Sequence, residues 1–310
     1  MDWVSAIKGF QAYLKLERSL SSHSLDAYSR DVAKLSRFVA EELDHKSPLK
    51  IELQDLIQFI SWLNKVRLDS RSQARILSGV RAFYKFLLVE DLLNEDPTEL
   101  LEGPRQAKYL PDFLSVEEID MVLQAVDLSV ERGHRDRAIL ETLYACGLRV
   151  SELVNSKWSD LMEDLGILKV IGKGNKERLV PIGEQALHQL ILYRDSYRNK
   201  LPVVKGYEDC IFLNKFGKKL SRISVFNLVK EYVSKAGIHK TVSPHTFRHS
   251  FATHLVEGGA NLRLVQEMLG HESITTTEIY THLDLHYLRD TIMQFHPMNQ
   301  RTKLETTSAD

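Results

Sequence analysis

Apolar residues recur at helical spacing through residues 1–105, and this pattern constrains the fold more than any other feature of the sequence. It predicts four helices, which lie near Trp3 to Leu16, after Ser21-Ser22, at about Leu53 to Val66 and at about Ser72 to Leu88. The inward positions of the second and fourth helices are Leu25, Tyr28, Val32, Leu35 and Val39, and Ile76, Val80, Phe83 and Leu87. Chain breakers follow at 94–97 and 103–106. Residues 1–105 are therefore predicted to form a four-helix domain.

The remaining chain predicts a second, mostly helical domain with a small antiparallel sheet. It begins near Phe113, where Ser115 and Glu118 have the spacing of a capping box. Two strand-like runs, Ile167 to Ile171 and Arg178 to Ile182, flank a glycine-rich turn at 172–176, as in a hairpin. We therefore expect a mainly α protein with a domain boundary near residue 105, a second domain over 106–298 and a polar tail over 299–310.

Composition excludes several classes of protein. No apolar run approaches the roughly 20 residues of a membrane span, and the first residues lack a basic and apolar signal segment. Two cysteines, Cys146 and Cys210, provide neither a disulfide framework nor a metal site. We therefore expect a cytoplasmic protein without a membrane anchor. The net charge of -1 shows no overall excess of base, although many nucleic-acid-binding proteins are basic.

A group of basic and phenolic residues suggests phosphate chemistry. Its members are Arg149, Lys173, His245, Arg248, His271 and Tyr280, and no carboxylate stands among the six. Ser243-Pro244 is a helix opening, which places His245 in the first turn and Arg248 on the same face. Guanidinium forks match phosphate oxygens, and a phenol can attack phosphorus while an imidazole accepts its proton. The set therefore predicts attack on a phosphate.

These residues and their order resemble the tyrosine recombinases, the lambda-integrase family. The resemblance implies that Tyr280 is the nucleophile, which forms a 3′-phosphotyrosyl link and releases a 5′-hydroxyl. It implies that Arg149 and Arg248 bind the non-bridging oxygens and that Lys173 protonates the leaving oxygen. His245 would assist proton removal from the tyrosine, and His271 would hydrogen-bond the phosphate. No metal and no cofactor are implied.

The resemblance also implies partners. The family closes two domains around double-stranded DNA, and we expect DNA contacts from basic residues that cluster in spite of the balanced charge, namely Arg71, Arg75, Arg81, Lys176 and Arg178. The compact length and the ending Phe295-His296-Pro297 resemble the Xer subfamily, which resolves chromosome dimers at a dif-type site. Such proteins act as a tetramer on DNA, commonly with a XerC-like partner recombinase, and an FtsK-like translocase often activates them.

Other interpretations remain open at this point. A type IB topoisomerase-like enzyme shares the chemistry but differs in motif spacing, and an integrase of a mobile element shares the family. A catalytically silent DNA-binding protein is disfavoured by the complete set of six residues, and a metal-dependent transposase by the lack of an acidic triad. His245 and His249 have a zinc-like spacing, but Thr246 stands where a zinc hydrolase needs glutamate. His249 and His254 are interpreted as structural or solvated residues.

An apolar stripe follows the expected nucleophile. It consists of Leu285, Leu288, Ile292 and Phe295, at helical spacing. A helix this short is not stable alone, so the stripe must be buried against another surface. The family resemblance favours docking on a neighbouring copy in the tetramer, and the alternative is packing on the helix's own domain.

Overall fold

The computed structural model describes residues 1–18, 20, 22–104, 113–130, 132–172, 175–270 and 282–299, with the side chains of 23 and 282–286 left undescribed. The chain divides into two compact units, Met1–Tyr109 and Leu110–Asp310. No helix of the described ranges is both long enough and apolar enough to cross a membrane.

The first unit consists of four helices: α1 (Trp3–Leu16), α2 (Ser22–Glu42), α3 (Leu53–Lys65) and α4 (Ser70–Val89). Asp2 and Asp69 begin α1 and α4 because their carboxylates accept hydrogen bonds from Ser5 N and Ser72 N. Aromatic side chains fill the core, where Phe10 and Phe83 lie edge to face with ring centroids 5.4 Å apart. The apolar residues that recur at helical spacing in the sequence thus form the packed core of this unit.

The second unit surrounds a small sheet with eight helices within the described residues. The helices are α5 (Val116–Gln124), α6 (Gly133–Cys146), α7 (Val150–Asn155), α8 (Glu184–Ser196), α9 (Arg222–Lys235), α10 (Pro244–Glu257), α11 (Leu262–Leu269) and α12 (His282–Phe295). The strands β1 (Leu161–Met162), β2 (Ile167–Ile171) and β3 (Glu177–Pro181) are antiparallel in the order β1-β2-β3. Leu168 pairs with Val180, and both face the core. The predicted mainly α fold with a small antiparallel sheet is confirmed.

Helix α6 is the centre of this unit. Eleven of its residues are buried, including Ile139, Leu143 and the polar Glu141. Burial on this scale means that neighbouring elements cover most of the circumference of the helix. Helices α8 and α10 pack against it, and through this contact α6 fixes the position of α10, which carries two of the candidate site residues.

The C-terminal helix α12 packs on its own unit. Leu288 and Ile292 belong to the same buried core as α6 and α10, and Phe295 packs against that core beside Gly259. The side chain of Leu285 lies outside the described residues. In the single chain the core of its own unit buries Leu288 and Ile292, and docking of this stripe on a neighbouring copy within a tetramer stays a prediction.

His296 follows α12 and is buried beside Tyr144 and Phe251, with ring centroids 4.7 and 5.7 Å away. Burial lowers the pKa of His296 to about 3. Because the unfolded chain takes up this proton near pH 6.5 and the folded chain does not, stability falls as pH drops through that value. Between pH 7 and pH 5.5 the wild type should lose about 1 kcal/mol more of its unfolding free energy than His296→Leu.

Urea denaturation at the two pH values measures this difference. His239→Gln, at an exposed histidine of the same unit, is the control and should keep the wild-type pH dependence. An equal pH dependence in wild type and His296→Leu would contradict the expectation.

Candidate active site

Arg149 is placed by a sharp turn between α6 and α7. Helix α6 ends at Gly147, whose φ of 55° lies in the left-handed region. A Cβ at Gly147 would lie 2.4 Å from a ring carbon of Phe251, so α10 approaches this turn too closely for any side chain. Arg149 then caps α7, and its backbone N–H donates to Glu152 Oε2 at 2.8 Å. The turn thus fixes the point from which the Arg149 side chain extends.

Arg248 lies on α10, one turn beyond the predicted helix start. Ser243 and Thr246 form a capping box, and Pro244 takes the first helical position. The guanidinium is almost fully buried, and it donates to Gly147 O at 2.8 Å and to Leu269 O at 2.5 Å. Burial, with a smaller effect of the nearby Arg149 charge, lowers the pKa of Arg248 to about 10. The side chain therefore remains a cation at neutral pH.

Glu152 joins the arginines of the site. Its buried carboxylate accepts from Arg149 Nη1 at 2.8 Å and from both terminal nitrogens of Arg178 at 2.9 and 2.8 Å. Arg248 Nη1 lies 3.9 Å away. Burial alone would raise the pKa of Glu152, but the hydrogen bonds and charge of Arg178, with those of Arg149, hold it below the usual range. Glu152 is therefore an anion surrounded by three cations.

Sequence reasoning missed this carboxylate. Glu152 stands three residues after Arg149, and at the start of a helix this spacing brings the two side chains together. That spacing was the available signal. The two arginines that complete the cluster come from β3 and α10, and no local pattern relates them to Glu152.

Arg178 does not lie where a DNA contact was expected. Its side chain is only 7% exposed, because it is held by Glu152 and because its Nε donates to Met268 O at 2.7 Å. The expectation that Arg178 contacts DNA is therefore wrong. Lys176 is exposed, as expected of a residue that could reach DNA.

The three basic residues predicted on α4 share an exposed face of that helix. Arg71, Arg75 and Arg81 are all exposed. The two terminal nitrogens of Arg75 donate to the two carboxylate oxygens of the buried Asp31 at 2.6 and 2.7 Å. Arg81 donates to Leu101 O at 2.5 Å. These contacts orient two of the guanidinium groups on the surface of the first unit, and their role as DNA contacts stays a prediction.

A groove of about 570 Å³ opens beside the arginine cluster. His245 is exposed on its wall, and the lining residues are Arg149, Val150, Ser151, Arg222, Ile223, Phe226, Ser243, Pro244, His245 and Arg248. The structure thus brings together three of the six predicted catalytic residues, Arg149, His245 and Arg248. Lys173, His271 and Tyr280 lie outside the described residues.

The described residues next to Lys173 and His271 lie close to the cluster. The ladder of the hairpin reaches the pair Ile171 and Glu177, directly before and after the turn that holds Lys173. Helix α11 ends at Leu269, and Gly270 O accepts from Arg149 Nη2 at 3.2 Å. The residue that precedes His271 therefore contacts Arg149.

The two histidines interpreted as structural or solvated differ in their surroundings. His254 is buried, and its Nδ1 lies 2.8 Å from the hydroxyl of Tyr144, which accounts for it as a core residue. His249 is half-buried on α10. Within residues 1–270, apart from the undescribed gaps, and 282–299, no group of three or more His, Cys, Asp or Glu residues is placed to hold a metal ion.

Two family models match the chain. The model of the phage integrase family matches residues 112–286, and that of the phage integrase N-terminal SAM-like domain matches residues 7–91. The tyrosine recombinase XerD of Staphylococcus haemolyticus is 41% identical over 291 residues, which cover 94% of this chain and 98% of that protein. The tyrosine recombinase XerD of Chlorobaculum tepidum is 43% identical over 303 residues, which cover 95% and 97%.

Solved structures of similar fold include complexes with DNA. The XerH site-specific recombinase in a pre-cleavage complex with its difH substrate aligns with a TM-score of 0.66 and 25% identity, over 91% of this chain and 82% of that one. Lambda integrase (residues 75–356) bound to DNA aligns with a TM-score of 0.69 and 17% identity, over 95% and 97%. The second likeness concerns the fold alone.

Proposed function

Since the chain belongs to the phage integrase family and is a site-specific tyrosine recombinase, we propose that its arginine cluster binds the scissile phosphate of a dif-type DNA site. The enzyme breaks and rejoins DNA strands. The observation that carries the proposal is the position of Arg149 and Arg248 on one groove, with His245 on the same wall.

In this proposal the phenolic oxygen of Tyr280 attacks phosphorus and forms a 3′-phosphotyrosyl bond. The bond between phosphorus and the 5′-oxygen breaks, and Lys173 donates a proton to that oxygen, so that a 5′-hydroxyl leaves. His245 accepts the phenolic proton, and His271 donates a hydrogen bond to the phosphate. Attack by the 5′-hydroxyl of a second strand reverses these steps and joins that strand. The bond energy of the phosphodiester is kept in the covalent intermediate, so no external energy source is required.

Arg149 and Arg248 stabilise the charge that develops during this transfer. The non-bridging oxygens become more negative as the fifth bond to phosphorus forms, and fixed cations in a partly dry site stabilise that charge strongly. Arg248 is supported by carbonyl oxygens of two different segments, Gly147 and Leu269. Its guanidinium is therefore held in place before any substrate binds, which lowers the reorganisation needed during the reaction.

The finer biological role is also a proposal. The identity to XerD proteins over nearly the whole chain supports recombination at a dif-type site and the resolution of chromosome dimers. We propose that the enzyme acts on DNA as a tetramer, together with a XerC-like partner recombinase. We also propose that an FtsK-like translocase activates it. The exposed basic face of α4 and Lys176 would contact DNA phosphates outside the cleavage position.

A nicked suicide duplex carrying a candidate dif-type site tests the proposed function. Cleavage next to the nick releases a short fragment, so the covalent protein–DNA adduct accumulates and denaturing electrophoresis detects it. Formation of strand-exchange products then distinguishes a recombinase from a topoisomerase-like enzyme. Binding without any adduct on such duplexes would contradict the proposal.

Cleavage by the wild type should survive excess EDTA. The phosphate meets guanidinium and lysine charges in this proposal, and these take the role that Mg²⁺ has in metal-dependent phosphoryl transfer. The measurement is adduct yield after prior incubation with EDTA, against the same reaction in Mg²⁺. Loss of the adduct in EDTA and its return with Mg²⁺ would contradict metal-independent catalysis.

A further inference from the structure

Arg178 is a buried arginine that no step of the proposed chemistry uses. It lies on β3, and its side chain is 7% exposed, against 38% for Arg149. Ionised groups are rarely buried without a function or a full set of partners. Arg178 has such partners, and they belong to the segments that form the active site.

The guanidinium of Arg178 joins three segments of the second unit. Its two terminal nitrogens hold both oxygens of Glu152 at the start of α7. Its Nε donates to Met268 O in the last turn of α11. Its side chain also packs on Gly270, where a Cβ would lie 3.1 Å from Arg178 Cδ. One side chain therefore fixes β3, the start of α7 and the end of α11 relative to one another.

Each of these segments leads to a residue with a proposed catalytic role. Arg149 directly precedes α7, His271 follows Gly270, and β3 is the second strand of the hairpin whose turn holds Lys173. Arg149 also donates to Gly270 O at 3.2 Å, which places its guanidinium against the same chain end. A movement of Arg178 would therefore change the position of Arg149, because Glu152 and Gly270 contact both arginines.

Charge gives Arg178 a second role. Glu152 is buried and ionised, and it lies 2.8 Å from Arg149 Nη1 and 3.9 Å from Arg248 Nη1. Among the residues that the structure describes, the remaining cations beside this carboxylate without Arg178 would be those two arginines, and it would compete with a phosphate for them. With Arg178 present, three guanidinium charges and one carboxylate leave two positive charges. This matches the two negative charges of a five-coordinate phosphorus during phosphodiester attack.

We propose that Arg178 is a positioning residue for strand cleavage: it neutralises Glu152, so that Arg149 and Arg248 are available to the scissile phosphate, and it holds the end of α11 against them. The inference rests on the proposed function of Arg149 and Arg248. The alternative is that Arg178 and Glu152 form an ion pair that only stabilises the fold. A positioning role predicts that the loss of cleavage in an Arg178 variant depends on the charge of the phosphate, and a purely structural role predicts that it does not.

The first test compares Arg178→Met with the wild type on two nicked suicide duplexes, in single turnover with saturating protein. One duplex carries the ordinary scissile phosphate and the other a methylphosphonate, which lacks one charged oxygen. On the ordinary duplex we expect cleavage about 100-fold slower, with binding changed less than about threefold. On the methylphosphonate the deficit should shrink below about tenfold, since a neutral phosphorus centre depends less on the charge of the cluster. Equal deficits on both duplexes would overturn the proposal.

The second test needs only the ordinary duplex. Glu152→Gln combined with Arg178→Met removes the uncompensated carboxylate charge but keeps an oxygen that can accept from Arg149 N. The double variant should cleave at least about tenfold faster than Arg178→Met alone, because the two residues are directly coupled. A double variant that is no faster than the single variant would overturn the proposal.

Two further variants separate positioning from folding. Arg198→Met removes another buried arginine of the same unit, which donates to the carbonyl oxygens of Cys210 and Glu208 and does not contact the cluster. It should lower the thermal midpoint but cleave like the wild type at temperatures where it is folded. Arg178→Lys is the second variant, to be used if Arg178→Met does not fold. It keeps the charge and loses the bidentate fork, and it should cleave about tenfold more slowly than the wild type. Arg178 variants that, when folded, cleave like Arg198→Met would overturn the proposal.

The wild-type reaction separates this inference from the proposed function. Absence of an adduct with wild-type protein would refute the function on which the inference rests. A normal adduct with both wild type and Arg178→Met would refute only the inference.

Discussion

Tyr280→Phe is expected to abolish the covalent protein–DNA adduct, with no detectable product on a nicked suicide duplex. The substitution removes only the oxygen that attacks phosphorus, and no other nucleophile in the proposed mechanism can replace it. The arginine cluster is unchanged, so binding to the duplex should remain within about twofold of the wild type, because phosphate contacts dominate the affinity. Denaturing electrophoresis measures the adduct, and a gel-shift titration measures binding.

A second tyrosine provides the matched control. Tyr287 lies on α12 and is 59% exposed, and Tyr287→Phe should form the adduct at the wild-type rate. An adduct that persists in Tyr280→Phe would refute the assignment of the nucleophile. Loss of the adduct in both variants would show that the phenol-to-phenyl change acts in some way other than removal of the nucleophile.

Lys173→Ala is expected to slow cleavage of ordinary DNA by about 10²- to 10⁴-fold, the range of general acid catalysis. An alkoxide is a poor leaving group, and its departure is slow without a proton donor. A duplex with a 5′-bridging phosphorothiolate releases a thiolate, which leaves without a proton. Lys173→Ala should therefore recover most of the wild-type rate on that duplex, as measured by single-turnover fragment release.

Lys176→Ala is the control from the same turn. Lys176 is exposed and is proposed to contact DNA phosphates, so its loss should weaken binding and affect both duplexes equally. Equal impairment of Lys173→Ala on ordinary and phosphorothiolate duplexes would assign Lys173 to a role other than leaving-group protonation.

Local signals predicted the secondary structure closely. The capping box of Ser115 and Glu118 begins α5, Ser243-Pro244 begins α10, and β2 spans Ile167–Ile171, each as the sequence predicts. Helix α11 ends at Leu269 before Gly270, whose φ of 65° is typical of a glycine at a helix C-terminus. These features depend on hydrogen bonds and backbone preferences within a few residues, so a local pattern determines them.

Sequence reasoning did not identify the partners of side chains that contact residues far away along the chain. Arg178 stands in a run of basic residues and was expected on the DNA, but it is buried on Glu152 and on Met268 O, 26 and 90 residues away. The stripe of α12 needed a partner surface, and in the single chain Leu288 and Ile292 lie in the core of their own unit, while docking on another copy stays a prediction. In both cases the pattern identified a residue that needs a partner, and it did not identify the partner.

The sequence by itself determined the helices, the hairpin and the residue types that phosphoryl transfer requires, because short-range geometry and side-chain chemistry are properties of the local chain. Only the tertiary structure decided that Glu152 would join Arg149, Arg178 and Arg248 in one buried cluster. The physical reason is that burial of a charge is costly unless partners surround it. Those partners come from α7, β3 and α10, which meet only because the apolar core of the second unit packs them together.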